Sequence, residues 1–102
     1  MVVYEVNLTL DADIASAFEE WLTDHVAEML EFKGFARATI LNVEHEFEKR
    51  LCVWYFVETR ADLETYFKEG AARMRADGLD RFGGRFQATR RILTVEEDRV
   101  PS

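Results

Sequence analysis

The 102-residue chain has one cysteine, Cys52, one proline, Pro101, and five glycines. A single thiol excludes an internal disulfide framework and fits a reducing compartment. The longest apolar run, Leu51 to Val57, is far too short to span a bilayer, so no membrane partner is expected. The start, Met-Val-Val-Tyr-Glu, lacks the basic region and apolar stretch of a secretion signal, and a cytoplasmic location is expected. Positive charge is scarce: 13 basic residues against 20 acidic ones leave a net charge of −7, which argues against nucleic acid as the main partner. Repeats, linkers and low-complexity segments are absent too.

What is present reads as one globular domain over residues 1–95, with 48% hydrophobic and 32% charged residues. Glu96 to Ser102 is polar, holds the proline and is expected to form a loose tail. A chain of this size buries a real core but encloses no large private cavity, so a sizeable pocket is expected to be shared between subunits.

Val2 to Leu10 alternates in the period of a strand, with Tyr4, Val6 and Leu8 on one side and Glu5, Asn7 and Thr9 on the other. From Asp13 to Leu30 apolar residues recur at three and four, which predicts a helix capped by Asp11 or Asp13 and ended by Gly34. Phe35–Val43 and Leu51–Glu58 flank an acidic turn and read as a hairpin. Thr59-Arg-Ala-Asp62 has the spacing of a capping box, and the helix after it is expected to reach about Ala76, with Gly78 as its cap. A loop from Leu79 to Gly84 and a last strand from Arg85 to Val95 complete the order β-α-β-β-α-β. That order predicts a ferredoxin-like α+β fold, a four-stranded antiparallel sheet with two helices on one face.

The other face of the sheet then needs explaining. Alternation puts Glu5, Asn7 and Thr9 there from the first strand and Arg85, Gln87, Thr89 and Arg91 from the last, with Arg37, Thr39, Leu41 and Val43 from the second. The third strand is apolar on both sides and adds either Trp54 and Phe56 or Val53 and Tyr55. A face so mixed is too apolar to stay wet and too polar for a dry core, and a homodimer joined through it resolves the conflict.

Tyr4-Glu-Val-Asn-Leu-Thr-Leu10, Trp21-Leu-x-x-His-Val-x-Glu-Met-Leu30, Lys33-Gly-Phe35 and Arg81-Phe-Gly-Gly-Arg-Phe-x-Ala-Thr-Arg-Arg91 resemble an uncharacterised bacterial family of short proteins, a domain of unknown function. The resemblance covers almost the whole chain. The architecture is also similar to the dimeric α+β barrel superfamily, which includes the antibiotic biosynthesis monooxygenases; that likeness implies two sheets facing across a dimer and small organic ligands between sheet and helices. The superfamily's haem-degrading members imply an Asn on the first strand, a Trp late in the third and a His on the second helix. Asn7 matches the first, Val57 stands near the second, and the second helix has no histidine, so the haem site is not carried over.

Arg81, Arg85, Arg90 and Arg91 form either a cradle for a carboxylate or phosphate or a set of partners for the acids. Arg90 and Arg91 cannot face the same way in a regular strand; one of them must pass toward the helices. Gly83-Gly84 either exposes backbone N–H groups to an anion or only turns the chain. His25, at the edge of the first helix's apolar stripe, reads as a base near neutral pH or as a buried, hydrogen-bonded histidine. Trp21 and Trp54 can stack on a flat ligand or fill a core or interface. No nucleophile elbow or metal-ligand spacing occurs, and no cofactor or metal is expected. The ligand-binding candidates are therefore Glu5, Asn7, Trp21, His25, Trp54, Arg85 and Arg91, with His25 the only candidate for catalysis. Three functions fit: a binder of a small anionic or aromatic molecule, a cofactor-independent monooxygenase acting on a small aromatic substrate, or a structural or regulatory dimerisation module.

Overall fold

A computed structural model describes residues 1–102. Four strands, β1 (Val2–Leu10), β2 (Phe35–Val43), β3 (Lys49–Val57) and β4 (Phe86–Thr94), form one antiparallel sheet in the order β2-β3-β1-β4. Three helices, α1 (Ala15–Met29), α2 (Arg60–Glu69) and α3 (Ala71–Phe82), supply the other layer. The ferredoxin-like architecture is therefore present. Tyr4, Leu8, Leu51, Val53, Tyr55 and Val57 of the sheet are buried with Phe18, Leu22, Val26 and Met29 of α1, Leu63 and Tyr66 of α2, and Met74 of α3. At roughly 25 cal/mol per Å² of apolar surface removed from water, this layer contact is the main source of stability.

The second helical segment differs from the expectation of one helix ending near Ala76. It is two helices broken at Gly70, where the Phe32 ring lies about 2.3 Å from the point a Cβ would occupy. Thr59 caps α2 as its spacing predicts, its hydroxyl accepting the Asp62 N–H at 3.0 Å. Gly78 is not a cap: it is buried inside α3, and a Cβ there would meet the Trp21 ring at 3.1 Å. A glycine chosen for close packing carries the same signature in a sequence as one chosen for a cap. The cap is Gly83, at φ +57°.

Asp11 and Asp13 make no side-chain cap either. A single 3₁₀ turn at Ala12–Ile14 precedes α1, and both carboxylates face Arg85 instead. Gly34, at φ +83°, follows the end of α1 by several residues and turns the chain into β2, where Glu58 N–H donates to its carbonyl at 2.8 Å. The Asp62 side chain fills the place of any Cβ. Gly34→Ala is therefore expected to lose about 1–3 kcal/mol of stability, read as a lower urea midpoint with an unchanged slope.

A bulge between Phe35 and Arg37 swaps the faces of β2 at its start. Phe35 stays with Val57 in the core, and Arg37 crosses to the open face, where its guanidinium lies 3.6 Å over the Phe56 ring.

Candidate functional site

The open face is organised by Glu5, the only buried charged residue, at 3% exposure. Register sets it opposite Trp54 of β3 and Arg91 of β4. Its carboxylate accepts from Trp54 Nε1 at 2.8 Å, from Asn7 Nδ2 at 2.9 Å and from Arg91 Nε in a short contact. Four of the seven ligand-binding candidates thus form one network. These hydrogen bonds, led by the one from Arg91, hold the Glu5 carboxyl at about 2 against the opposing effect of burial. Trp54 and Phe56 are consequently the residues that β3 presents to this face, and Val53 and Tyr55 point to the helices. Cys52 lies buried beside the network, its thiol pushed up to about 11 first by burial and then by the Glu5 carboxylate, which leaves it inert as a nucleophile.

Trp21 and His25 lie across the sheet from this network. They stack on one face of α1 with ring centroids 4.5 Å apart, and Trp21 Nε1 donates to Asp77 Oδ2 at 2.9 Å. Both line a cavity of about 50 Å³ between sheet and helices. Its walls are mostly aromatic and aliphatic, with Tyr4, Tyr55, Phe18 and Phe86 among them. His25 Nδ1 is sealed from solvent and has no hydrogen-bond partner. Burial lowers its pKa, Asp77 and Glu28 oppose this, and Arg90 reinforces it. The imidazole is therefore neutral at pH 7, with one nitrogen to donate and the other to accept.

Arg85 joins neither group. It pairs with Asp13 and, at 3.5 Å, with Asp11, tying the start of β4 to the turn before α1. The candidates therefore fall into three places, and no single pocket within one chain holds them all. No group of three or more His, Cys, Asp or Glu side chains is arranged to hold a metal ion. No helix is long and apolar enough to cross a membrane.

Residues 1–96 match the family described as a domain of unknown function, DUF4286. The chain belongs to the DUF4286 family. No curated protein matches it in sequence. Several solved structures share its fold. A variant of SnoaB, a cofactor-independent oxygenase from Streptomyces nogalater, is 14% identical with a TM-score of 0.70 over 95% of each chain. A proposed antibiotic biosynthesis monooxygenase from Deinococcus radiodurans is 12% identical with a TM-score of 0.73 over the whole of both chains. A dimeric ferredoxin-like protein from an uncultured marine organism is 13% identical with a TM-score of 0.67, covering 99% of this chain and 100% of that one. At such identities the likeness shows the fold of this DUF4286 chain and nothing finer.

Five polar residues of the cavity were not among the ligand-binding candidates: Tyr4, Tyr55, Tyr66, Arg75 and Arg90. Arg90 was legible in part. It shares the alternation of Phe86, Ala88 and Ile92, all packed against the core, so it is the member of the Arg90–Arg91 pair that passes to the helix side while Arg91 takes Glu5. Arg75 carries no such signal. Only the docking of α3 brings it to Tyr4, whose hydroxyl accepts from it at 3.0 Å.

Proposed function

We propose that this DUF4286 protein binds a small aromatic molecule in the cavity between its helices and sheet, as a homodimer joined through the open sheet face. The observation that carries the binding reading is the cavity itself, walled mostly by aromatic and aliphatic side chains with Tyr4, His25, Arg75 and Arg90 set among them. Ligand sites have this general make-up, apolar walls with a few convergent polar groups.

The dimer reading is supported by the composition of the open face. Trp54 and Phe56 stand half-buried there beside Arg37 and Arg91, which are exposed. A second sheet laid on this face would cover the rings and leave the Glu5 hydrogen bonds in place. The dimeric protein of similar fold points the same way.

A second reading follows from the neutral state of His25. An imidazole with a lowered pKa beside an aromatic substrate can take a proton from it, as a cofactor-independent oxygenase would require, and one structural neighbour is such an oxygenase. Oxygen uptake with electron-rich phenols, lost in His25→Leu while phenol binding persists, would separate this enzyme from a plain binder.

Native mass spectrometry of the purified chain, followed by calorimetric titration with single-ring phenols, tests the main reading. A dimer that takes up one phenol per cavity, with His25→Leu weakening uptake about tenfold or more, is the expected result. A monomer overturns the dimer, and a chain that binds no phenol overturns the cavity site.

A further inference from the structure

Sixteen residues line the cavity, and the only two that carry a full charge at neutral pH are Arg75 and Arg90. In a chain with 20 acidic residues and 13 basic ones, an enclosure with two cations and no carboxylate runs against the overall charge. Both guanidiniums also lack an acid of their own. The ion pairs of the protein engage Lys49, Arg50, Arg60, Arg73, Arg85, Arg91 and Arg99, and neither Arg75 nor Arg90 is among them. Arg75 spends one N–H on the Tyr4 hydroxyl, and Arg90 makes no side-chain hydrogen bond. The two arise from different elements, α3 and β4, yet both act on the buried Tyr66 hydroxyl, which burial pushes up to about 12 and both arginines pull back.

From this we infer that the cavity takes an aromatic carboxylate, its anionic end held by Arg75 and Arg90 and a ring hydroxyl set against His25. The inference rests on the cavity reading above and names its ligand class. A guanidinium presents a planar fork of donors that matches the two oxygens of a carboxylate, and Arg75 and Arg90, both exposed, line the same cavity without an acid partner. A doubly charged phosphate would lose far more hydration on entering walls as apolar as these. Orientation follows from the acids outside. Beyond Trp21 and His25 lies a second cleft that shares both rings and is lined by Glu20, Asp24, Glu28 and Asp77, with Arg81 as its one cation. Four acids against one arginine leave that cleft net negative, so a carboxylate set near it would meet repulsion. A phenolic hydroxyl both donates and accepts, so it suits either tautomer of His25.

The test uses the full native chain and two probes of nearly equal shape, 4-hydroxybenzoate and 4-hydroxybenzamide, titrated by calorimetry at low salt. The acid is expected to bind about ten- to a hundredfold more tightly than the amide. Arg90→Gln and Arg75→Gln should each remove most of that preference and leave the amide's affinity within about twofold, while Arg60→Gln, on the surface of α2, should change neither. Equal affinity for acid and amide in the native chain would overturn the carboxylate inference and leave the cavity site standing. If neither probe binds, the cavity reading itself fails and the inference falls with it. The native-chain comparison decides the matter even if an arginine variant folds poorly.

Discussion

Phe18→Ala is expected to remove about 3–5 kcal/mol of stability, a large part of the roughly 5–15 kcal/mol available to a domain of this size. Phe18 is 1% exposed, and its ring centroid lies 5.2 Å from that of Trp21, 5.0 Å from Phe82 and 5.1 Å from Phe86. It therefore joins α1 to both the end of α3 and the start of β4. Alanine would leave a void that three large rings, each fixed by other neighbours, cannot close. The loss is read from urea unfolding at fixed protein concentration, since association would shift the midpoint by mass action. Phe47→Ala, at the 85% exposed hairpin tip, should stay within about 0.5 kcal/mol. Equal effects of the two changes would contradict the packing described. Phe18 also backs the Trp21 ring, so residual folded Phe18→Ala protein should bind the hydroxybenzoate probe more weakly.

Glu5→Gln should cost about 1–3 kcal/mol near neutral pH, because the amide keeps an acceptor for Trp54 but gives up the charge that Arg91 and Asn7 address. Arg91 is 66% exposed and can turn to water, which holds the penalty below that of a fully buried broken pair. The pH dependence distinguishes this carboxylate from a passive one. Its pKa falls from 4.5 to about 2 on folding, so the unfolded chain binds the proton first as the solution is acidified. The stabilisation is fully present above about 4.5 and is lost as the pH drops toward 2. Wild-type stability should thus fall more steeply than that of Glu5→Gln across this window, and the gap between them should narrow. A gap that stays constant with pH would mean that the Glu5 charge is not the acceptor of the network.

Much of this was readable from residue order. Period-two alternation in Val2–Leu10 and Phe86–Thr94 assigned the faces of β1 and β4, because β1 carries its charged and amide residues on one side only and β4 sets Phe86, Ala88 and Ile92 toward the core, although Arg90 falls on that side too. It therefore also put Glu5, Asn7 and Arg91 together. The same logic gave no answer for β3, where Cys52, Trp54 and Phe56 are as apolar as Val53 and Tyr55. Helical spacing located α1 and the Thr59 cap, but Gly78 and Gly70 read alike in a sequence even though one lets a tryptophan approach α3 and the other separates α2 from α3.

The candidate site shows the same division. Residue types alone identified Trp21, His25, Trp54 and the arginines as the chemistry available, and local order alone determined the β-α-β-β-α-β fold, since alternation and capping depend on neighbours a few positions apart. Only the tertiary structure decided that Trp54 joins Glu5 and Arg91 on one side of the sheet, while Arg75 and Arg90 line a cavity with His25 on the other. Arg75, His25 and Arg90 lie on three separate elements, α3, α1 and β4. Nothing in the spacing of residues along a chain records which helix face docks over which strand; burial of the shared apolar surface sets that distance.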